Sequence, residues 1–362
     1  MLLTSAGAAR APRELTRRVS VGGVEVGGGA PVCVQSMCTT RTSDAEATLA
    51  QIGSLAQEGC EIVRVAVPQA TALDGFEEIC ARSSLPVVAD IHFDHRLALE
   101  ACRRGAHGLR VNPGNIGSWE RVDAVIDEAG AAGVPIRIGV NAGSLDERVA
   151  ERDDLTLVEK LVASSVSFVE HFRARGFDDL VVSAKAHGVP TTVATYRALS
   201  AELPDVPLHV GVTEAGTLRQ GTVKNSAAVG ALLMEGIGDT MRLSLTADPV
   251  EEVRVAWDLL SAVGLRRRRP ELVSCPTCGR CQVELIPIAE EVERRLADVV
   301  APISVAVMGC VVNGPGEARD ADLGIACGKG QALLFADGRP LRKVAAERIV
   351  DELFAEIGRR FS

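Results

Sequence analysis

The feature that most constrains the fold is a regular alternation of short β-rich runs with longer segments of helical periodicity. Apolar runs separated by helices are typical of parallel strands that are buried on both faces. Eight such units in roughly 230 residues predict an α/β fold, a (β/α)8 TIM barrel. A doubly wound open sheet of this size would be unusual, and no GxGxxG segment follows the first run. The runs span residues 32–37, 61–67, 86–91, 108–112, 135–140, 179–185, 207–212 and 239–245.

The chain after the barrel predicts a second, smaller α+β domain. Four arginines and a proline at residues 266–270 are typical of a solvated linker. Beyond the linker we expect a helix at 284–299, strands at 303–308, 323–327 and 332–336, and a final amphipathic helix at 344–361. Residues 1–18 lack the apolar core of a secretory signal and are interpreted as a flexible extension. The predicted organisation is therefore extension 1–18, barrel 19–265, linker 266–270 and C-terminal domain 271–362.

Composition excludes several classes of function. The net charge is −9 and only eleven residues are aromatic, which does not fit a nucleic-acid-binding surface. No apolar run approaches the ~20 residues that span a bilayer. Ten cysteines in a large chain without a secretory signal are expected to be reduced. We therefore expect a cytoplasmic protein with neither nucleic-acid nor membrane partners.

Polar residues occupy the carboxyl ends of the predicted strands, where TIM barrels carry their active sites. Five cations directed at one barrel mouth would repel each other unless they held a multiply charged anion, so we expect a small diphosphate substrate. Glu214 is an acid among these cations, either a proton donor or a charge balance for Lys185 or Arg242. The ends contain Gln35, Ser36, Arg64, Asp90, His92, Arg110, Asn112, Arg137, Asn141, Ser183, Lys185, Thr213, Glu214, Arg242 and Ser244.

Two further barrel features bear on the site. The segments 213–216 and 221–226 are interpreted as a phosphate-binding loop before a helix N-terminus, because their glycines would let backbone N–H groups approach an anion. His92 is interpreted as either catalytic or part of the barrel mouth. His209 lies on a predicted strand and is interpreted as a hydrogen-bonded histidine of the barrel.

The C-terminal domain contains a tightly spaced group of cysteines. Cys275-Pro-Thr-Cys278 precedes Cys310-Val-Val-Asn-Gly-Pro-Gly-Glu317 by about thirty residues, and soft thiolates in this pattern suit an Fe–S cluster or zinc. Glu317 is a candidate for a replaceable fourth ligand. Two alternatives stay open from spacing alone: an all-cysteine cluster that uses Cys281, and a structural zinc site of Cys275, Cys278, Cys281 and Cys310.

These motifs together resemble the bacterial 4-hydroxy-3-methylbut-2-en-1-yl diphosphate synthases, iron–sulfur enzymes of non-mevalonate isoprene biosynthesis. The resemblance extends over nearly the whole chain from about residue 17, and the two cysteine motifs are its most diagnostic part. The other matching segments are residues 34–37, 61–68, 89–93, 110–117, 137–141, 212–216 and 235–240.

The resemblance implies a redox enzyme with a 4Fe–4S cluster on Cys275, Cys278 and Cys310, and Glu317 on the fourth iron. It implies reductive ring opening of 2-C-methyl-D-erythritol 2,4-cyclodiphosphate with electrons from flavodoxin or ferredoxin. It also implies a homodimer in which the barrel of one subunit is capped by the cluster domain of the other. The implied substrate pocket is lined by Arg64, Arg110, Asn112, Arg137, Asn141, Lys185, Glu214 and Ser244; the barrel argument adds Arg242.

Two residues depart from the family pattern, and two other classes of function compete with it. Cys281 and Cys327 stand where the family is not expected to have thiols, although neither replaces an implied ligand. One competing function is a non-redox TIM-barrel lyase or synthase that acts on a phosphorylated metabolite and carries structural zinc. The other is a non-enzymatic Fe–S redox sensor whose barrel binds a diphosphate signal.

Overall fold

The structure is a computed structural model that describes residues 11–143, 145–310 and 318–361. The chain divides into two compact units, Met1–Arg266 and Arg267–Ser362, and each is described by itself. No helix in the described part of the chain is long and apolar enough to cross a membrane.

Eight parallel strands form the sheet of the first unit, which confirms the predicted TIM barrel. Neighbours run in the order β8-β7-β6-β5-β4-β3-β10-β9, and a parallel bridge between Val182 and Leu208 joins the two ends of this series into a closed barrel. The strands are β3 (Cys33–Met37), β4 (Ile62–Ala66), β5 (Val87–Asp90), β6 (Gly108–Val111), β7 (Ile136–Asn141), β8 (Leu180–Lys185), β9 (His209–Val210) and β10 (Thr240–Met241); β1 and β2 form the N-terminal hairpin described below.

Helices surround the barrel and begin and end where local sequence favours it. Asp44 accepts a hydrogen bond from the backbone of Ala47 at the start of α2, and Gly59 ends that helix with φ +97°. Thr156 and Glu159 form a reciprocal capping box on α8. The helices are α1 (Pro12–Leu15), α2 (Ala45–Glu58), α3 (Leu73–Arg82), α4 (His95–Arg103), α5 (Pro113–Ile116), α6 (Trp119–Ala132), α7 (Glu147–Ala150), α8 (Leu157–Ala174), α9 (Val189–Glu202), α10 (Leu218–Met234) and α11 (Pro249–Ala262).

A short hairpin covers the amino-terminal end of the barrel. Its strands are β1 (Val19–Val21) and β2 (Val24–Val26), and their valines pack against the first residues of several barrel strands, including Cys33 and Ile62. This apolar contact seals the end of the barrel opposite the expected active site.

Residues 11–18 differ from the expectation of a flexible extension. The Arg13 amide donates to the Gly236 carbonyl at 2.9 Å, and the Thr16 hydroxyl donates to Asp239 Oδ1 at 2.9 Å. Arg17 adds a hydrogen bond to Asp205 at 3.1 Å. These polar contacts attach the segment to the barrel, and composition alone gave no sign of them.

The second unit is an α+β domain, as predicted. Its sheet has the order β11-β12-β13-β14-β15, in which the first three strands are parallel and the last two are antiparallel to their neighbours. Helices α12 (Leu285–Leu296) and α13 (Ile349–Phe361) contribute to its core. The strands are β11 (Glu271–Ser274), β12 (Ser304–Met308), β13 (Leu323–Gly328), β14 (Gln331–Ala336) and β15 (Arg339–Ala345).

Two elements of this sheet were not predicted from the sequence. Strand β11 lies before Cys275, in a segment to which the sequence analysis assigned no element. Strand β15 includes only the first two residues of the helix expected at 344–361, and it forms because Asp337 and Gly338 adopt φ values of +49° and +69° and turn the chain back onto β14. Asp-Gly is a strong hairpin signal, and it was overlooked.

Candidate active site in the barrel and candidate metal centre

Four of the five predicted cations lie on strands of the barrel, and the fifth directly follows a strand. Arg64, Arg110, Arg137 and Lys185 belong to β4, β6, β7 and β8, and Arg242 follows β10 directly. Arg110 and Arg137 are paired across neighbouring strands. Arg137 is the second residue of β7, so it sits deeper than the strand ends that the sequence suggested. Arg110, Arg137 and Lys185 are 6%, 7% and 8% exposed, which means that these charges are held inside the barrel.

Asp90, at the end of β5, organises one side of this group. Its Oδ1 accepts a hydrogen bond from Arg110 Nη1 at 3.2 Å, and its Oδ2 lies 3.5 Å from Arg64 Nε and 3.4 Å from His92 Nε2. Burial would raise the pKa of Asp90, but Arg64, His92 and Arg110 together lower it well below the usual carboxyl value. Asp90 is therefore an anion that fixes two of the five cations.

Glu252 organises the opposite side and was missed by sequence reasoning. It lies on α11, is 2% exposed, and accepts two parallel hydrogen bonds from Arg242 at 3.0 and 2.7 Å. Ser36 and the Leu245 amide donate to the same carboxylate. A charged residue on the buried side of an amphipathic helix was the signal that could have identified it.

Positive charge remains in excess after these two carboxylates are counted. Burial, followed by the neighbouring cations, lowers the pKa of Lys185 and Arg137 well below their usual values, and burial lowers that of Arg64 to about 10. Arg137 Nη1 donates to Ser183 Oγ at 2.8 Å, yet Arg137 Nη2 and Arg110 Nε are buried without a hydrogen-bond partner among the described residues. Buried donors without partners in a cationic cavity are suited to a multiply charged anion.

The smaller polar residues predicted for the pocket are engaged with the protein itself. Asn112 caps α5 by accepting a hydrogen bond from the Gly114 amide at 3.1 Å. Asn141, with its amide oriented to satisfy both of its polar atoms, accepts from Arg110 Nη2 at 3.1 Å. Ser244 accepts from Arg242 Nη1 at 3.1 Å. In this structure the three residues orient the cations and the loops that hold them.

Glu214 follows β9 in a sparsely populated backbone conformation. Its φ is +52°, a left-handed value that non-glycine residues adopt at a cost and that recurs at functional sites. Its side chain is exposed, unlike the carboxylates of Asp90 and Glu252. Glu214 is therefore not buried beside the cations as Asp90 and Glu252 are, and its role as a proton donor stays a prediction.

The predicted phosphate loop is partly wrong. Residues 221–226 lie within α10, which begins at Leu218, so they are helical and not part of a loop. Gly221 is required for packing, because a Cβ there would lie 2.5 Å from Leu245 Cδ2. A helix interior has no free amides to offer an anion, so the segment 213–216 is the part that keeps this role as a prediction.

His209 is hydrogen-bonded, as expected, but at only one of its two ring nitrogens within the described residues. Its Nε2 lies 3.3 Å from Lys185 Nζ, while Nδ1 is buried without a partner in the described part of the chain. His92, by contrast, has a half-exposed side chain and contacts Asp90. The structure therefore brings His209, and not only His92, into the cation cluster.

The barrel unit also has a groove outside this group of cations. Its volume is about 540 Å³, and its lining residues include Pro113, Trp119, Asp146, Arg148 and Phe168. It contains none of the five predicted cations, and its charged residues Asp146 and Arg148 are paired at 2.8 Å. We place the candidate active site at the cations, because they can bind a charged substrate, whereas the volume of a groove alone does not identify an active site.

The predicted metal ligands lie on two hydrogen-bonded segments of the second unit. The Gly309 amide donates to Cys275 Sγ at 3.2 Å, and the Gln282 amide donates to the Gly309 carbonyl at 2.9 Å. Cys278 is exposed, and hydrogen bonds from the backbone and side chain of Arg280 lower its pKa. Cys310 is half-buried. N–H donation to sulfur is typical of Fe–S ligands, so these residues fit a cluster.

The described donors are not gathered around a single point. Among residues 11–143, 145–310 and 318–361, no three His, Cys, Asp or Glu side chains are grouped to hold one metal ion. Glu317, the implied fourth ligand, lies outside the described residues.

The two unexpected cysteines occupy protected positions beside this centre. Cys281 Sγ would lie 2.6 Å from a Cβ at residue 309, which explains why glycine is needed there. Cys327 is fully buried on β13, and burial raises its pKa to about 12.

Known sequence families match the two units of the chain separately. A sequence model described as the GcpE TIM-barrel domain matches residues 16–257, and one described as the GcpE protein C-terminal domain matches residues 271–359. The 4-hydroxy-3-methylbut-2-en-1-yl diphosphate synthase (flavodoxin) of Geobacter sulfurreducens is 53% identical over 342 residues, which cover 94% of this chain and 97% of the relative. The protein of the same description from Bacillus subtilis is 50% identical over 95% of this chain and 91% of its own.

Similarity to solved structures is more distant. A Yersinia pestis dihydropteroate synthase aligns with 14% identity and a TM-score of 0.48, over 68% of this chain and 96% of its own. We draw no conclusion about function from this likeness.

Proposed function

The chain belongs to the 4-hydroxy-3-methylbut-2-en-1-yl diphosphate synthase family, and from that premise we propose which of its residues perform the family's reaction. It is an oxidoreductase of isoprenoid synthesis that converts 2-C-methyl-D-erythritol 2,4-cyclodiphosphate into 4-hydroxy-3-methylbut-2-enyl diphosphate. The conversion consumes two electrons and two protons, opens the ring and releases one oxygen as water.

Substrate binding is assigned to the barrel cations. Arg64, Arg110, Arg137, Lys185 and Arg242 hold the diphosphate, and Asn112, Asn141 and Ser244 orient them. The observation that carries this proposal is the pair of buried guanidinium donors, Arg110 Nε and Arg137 Nη2, that lack partners in the described chain. Phosphate oxygens would satisfy both donors, and they would relieve the mutual repulsion of the cations.

Glu214 is proposed as the residue that supplies a proton. Its exposed carboxyl group on a strained backbone can reach a substrate at the mouth without being neutralised by a buried cation. We expect Glu214→Gln to bind the cyclodiphosphate normally and to lower kcat by about 100-fold or more. Normal turnover in this variant would remove Glu214 from the mechanism.

Cys275, Cys278 and Cys310 are proposed to hold a 4Fe–4S cluster, with Glu317 as its replaceable fourth ligand. Bound there, the cluster would supply electrons singly and a Lewis-acidic iron for the departing oxygen. The Gly309 amide, which donates to Cys275 Sγ, stabilises the thiolate that such a ligand requires.

Iron and acid-labile sulfide, measured on anaerobically purified protein, test the cluster. We expect about four of each per chain, with loss of both in Cys310→Ser and retention in the matched variant Cys281→Ser. Glu317→Ala is expected to keep the iron and lose turnover. Zinc in place of iron, even after attempted cluster reconstitution, would instead support the non-redox lyase or synthase. Cyclodiphosphate binding without turnover under strong reductant would support the redox sensor.

The electron donor, the assembly and the location complete the proposal. The names of the relatives include flavodoxin, and we propose flavodoxin, with ferredoxin as the alternative, as the donor to this chain. A homodimer is the assembly that the family resemblance implies, and light scattering on the purified holoprotein tests it. Ten unpaired cysteines suit the reducing conditions of the cytoplasm, where we place the protein.

A further inference from the structure

We propose that His209 is a positioning residue, which accepts a hydrogen bond from the Lys185 ammonium and directs that ammonium toward the phosphate groups of the substrate. This inference rests on the proposed role of Lys185 in holding the diphosphate. His209 itself contacts no reacting atom in this scheme, and it acts through Lys185.

The contact fixes which ring nitrogen carries the proton. His209 Nε2 lies 3.3 Å from Lys185 Nζ, and both residues are buried, at 0% and 8% exposure. The negative charge of the bound diphosphate keeps Lys185 protonated. An ammonium group has donors and no acceptor, so the ring nitrogen beside it must accept. The single proton of a neutral His209 therefore resides on Nδ1.

No hydrogen bond at the other ring nitrogen, Nδ1, stabilises this tautomer within the described residues. Nδ1 is buried and has no partner within the described parts of the chain, which costs free energy for a donor. A buried polar atom left in this way calls for an explanation. The contact with Lys185 is the interaction that the ring retains.

A neutral ring suits this position better than a carboxylate. Burial and the charges of Arg137, Lys185, Arg64 and Arg242 lower the pKa of His209 well below its usual value, so the ring stays uncharged. A carboxylate would also orient Lys185, but it would cancel the charge that attracts phosphate. An imidazole acceptor orients the ammonium and leaves its full charge available to the substrate.

The surrounding backbone holds both partners in place. The Tyr196 hydroxyl donates to the His209 carbonyl at 2.7 Å, which fixes β9. A Cβ at Gly211 would lie 2.9 Å from Lys185 Nζ, so the ammonium passes close to the backbone on that side. Lys185 is confined between Gly211 and His209, and loss of the acceptor would leave its direction undetermined.

The test compares His209→Phe, which removes the acceptor and keeps a ring, with His209→Gln, which keeps an acceptor of similar reach. In the anaerobic holoenzyme we expect His209→Phe to raise KM for the cyclodiphosphate about tenfold with little change in kcat, since an oriented charge–phosphate contact is lost in ground and transition states alike. His209→Gln is expected to restore most of this loss.

Lys185→Met separates a positioning role from a structural one. If His209 acts through Lys185, His209→Phe adds little to KM in the Lys185→Met background. An equal increase in both backgrounds overturns the inference. Unchanged KM in Lys185→Met overturns the proposed role of Lys185 itself, whereas a raised KM there with a normal His209→Phe overturns only the role of His209.

A second measurement needs no variant of His209 to fold. In wild-type protein labelled with ¹⁵N at histidine, the imidazole nitrogen shifts report the tautomer, and the resonance is assigned by its perturbation in Lys185→Met. We expect the proton of His209 on Nδ1. A proton on Nε2 would contradict the proposed hydrogen bond.

Discussion

Arg242 and Glu252 are joined by two parallel hydrogen bonds, Nε to Oε2 at 3.0 Å and Nη2 to Oε1 at 2.7 Å, across the edge of the cation cluster. The carboxylate is almost fully buried, and the arginine side chain is 20% exposed. This bidentate geometry fixes the plane of the guanidinium. It also leaves Nη1 directed at Ser244, so the helix that carries Glu252 determines where one substrate-binding cation points.

Glu252→Gln is expected to lower the free energy of unfolding of the barrel by about 3 kcal/mol, because it leaves Arg242 without its buried counter-charge. Trp119 and Trp257 both lie in the barrel unit, so denaturant unfolding followed by tryptophan fluorescence reports on it. Glu251→Gln is the matched control, since Glu251 pairs with Arg254 at the surface and its loss should cost less than about 1 kcal/mol. Equal effects of the two changes would contradict the importance of the buried pair.

Arg137→Met is expected to stabilise the barrel and to weaken substrate binding. Arg137 is buried among like charges, and burial with those charges lowers its pKa, so its removal relieves repulsion in the substrate-free enzyme. We expect the barrel to unfold at higher denaturant concentration, with a gain of about 1 kcal/mol or more.

The same variant should lose affinity for the cyclodiphosphate. Titration calorimetry should give a dissociation constant raised by tenfold or more, since one charge-assisted contact to phosphate is lost. A variant that is both less stable and unimpaired in binding would show that Arg137 is a structural residue.

The stability of the barrel should carry a pH dependence from Asp239. This carboxylate accepts hydrogen bonds from the Leu208 amide and from Thr16 at the amino-terminal end of the barrel, and burial raises its pKa from 3.8 to about 6. A raised carboxyl pKa means that the folded state binds the proton more tightly than the unfolded state. The stabilisation that protonated Asp239 gives the folded barrel is therefore fully present below pH ~4. It is lost as the pH rises through ~6, by up to about 3 kcal/mol.

Asp239→Asn isolates this contribution from those of the other carboxylates. The difference in unfolding free energy between the variant and the wild type should move in favour of the variant between pH 4 and pH 7. Asp90 has a lowered pKa and titrates equally in both proteins, so it cancels in the comparison. If the free energies of unfolding of the two proteins changed equally between pH 4 and pH 7, a raised pKa at Asp239 would be excluded.

The features that were predicted from the sequence are those that depend on the periodicity of strands and helices. The features that were missed depend on which side chains come into contact in the folded chain. The barrel and its cations followed from the strand–helix alternation, because alternate strand residues must point inward. Glu251 and Glu252 are equivalent in the sequence, yet the packing of α11 exposes one and buries the other. His209 likewise gave no local sign of its contact with Lys185, which comes from a different strand.

Gly139 provides the sharpest test of how closely the cluster is packed. A Cβ on this residue of β7 would lie 2.4 Å from Arg110 Nε and 2.9 Å from its Nη2, and Arg110 Nη2 also donates to the Gly139 carbonyl at 3.2 Å. Gly139→Ala must therefore displace the guanidinium, which would raise KM for the cyclodiphosphate about tenfold and lower stability by about 1–3 kcal/mol. Gly53→Ala is the control: it lies in α2 with no atom within 4 Å of the added methyl group, so it should stabilise the barrel by up to about 1 kcal/mol and leave KM unchanged. If both variants kept wild-type KM, the position of Arg110 would not matter for binding, and the diphosphate would have to be held by the remaining cations.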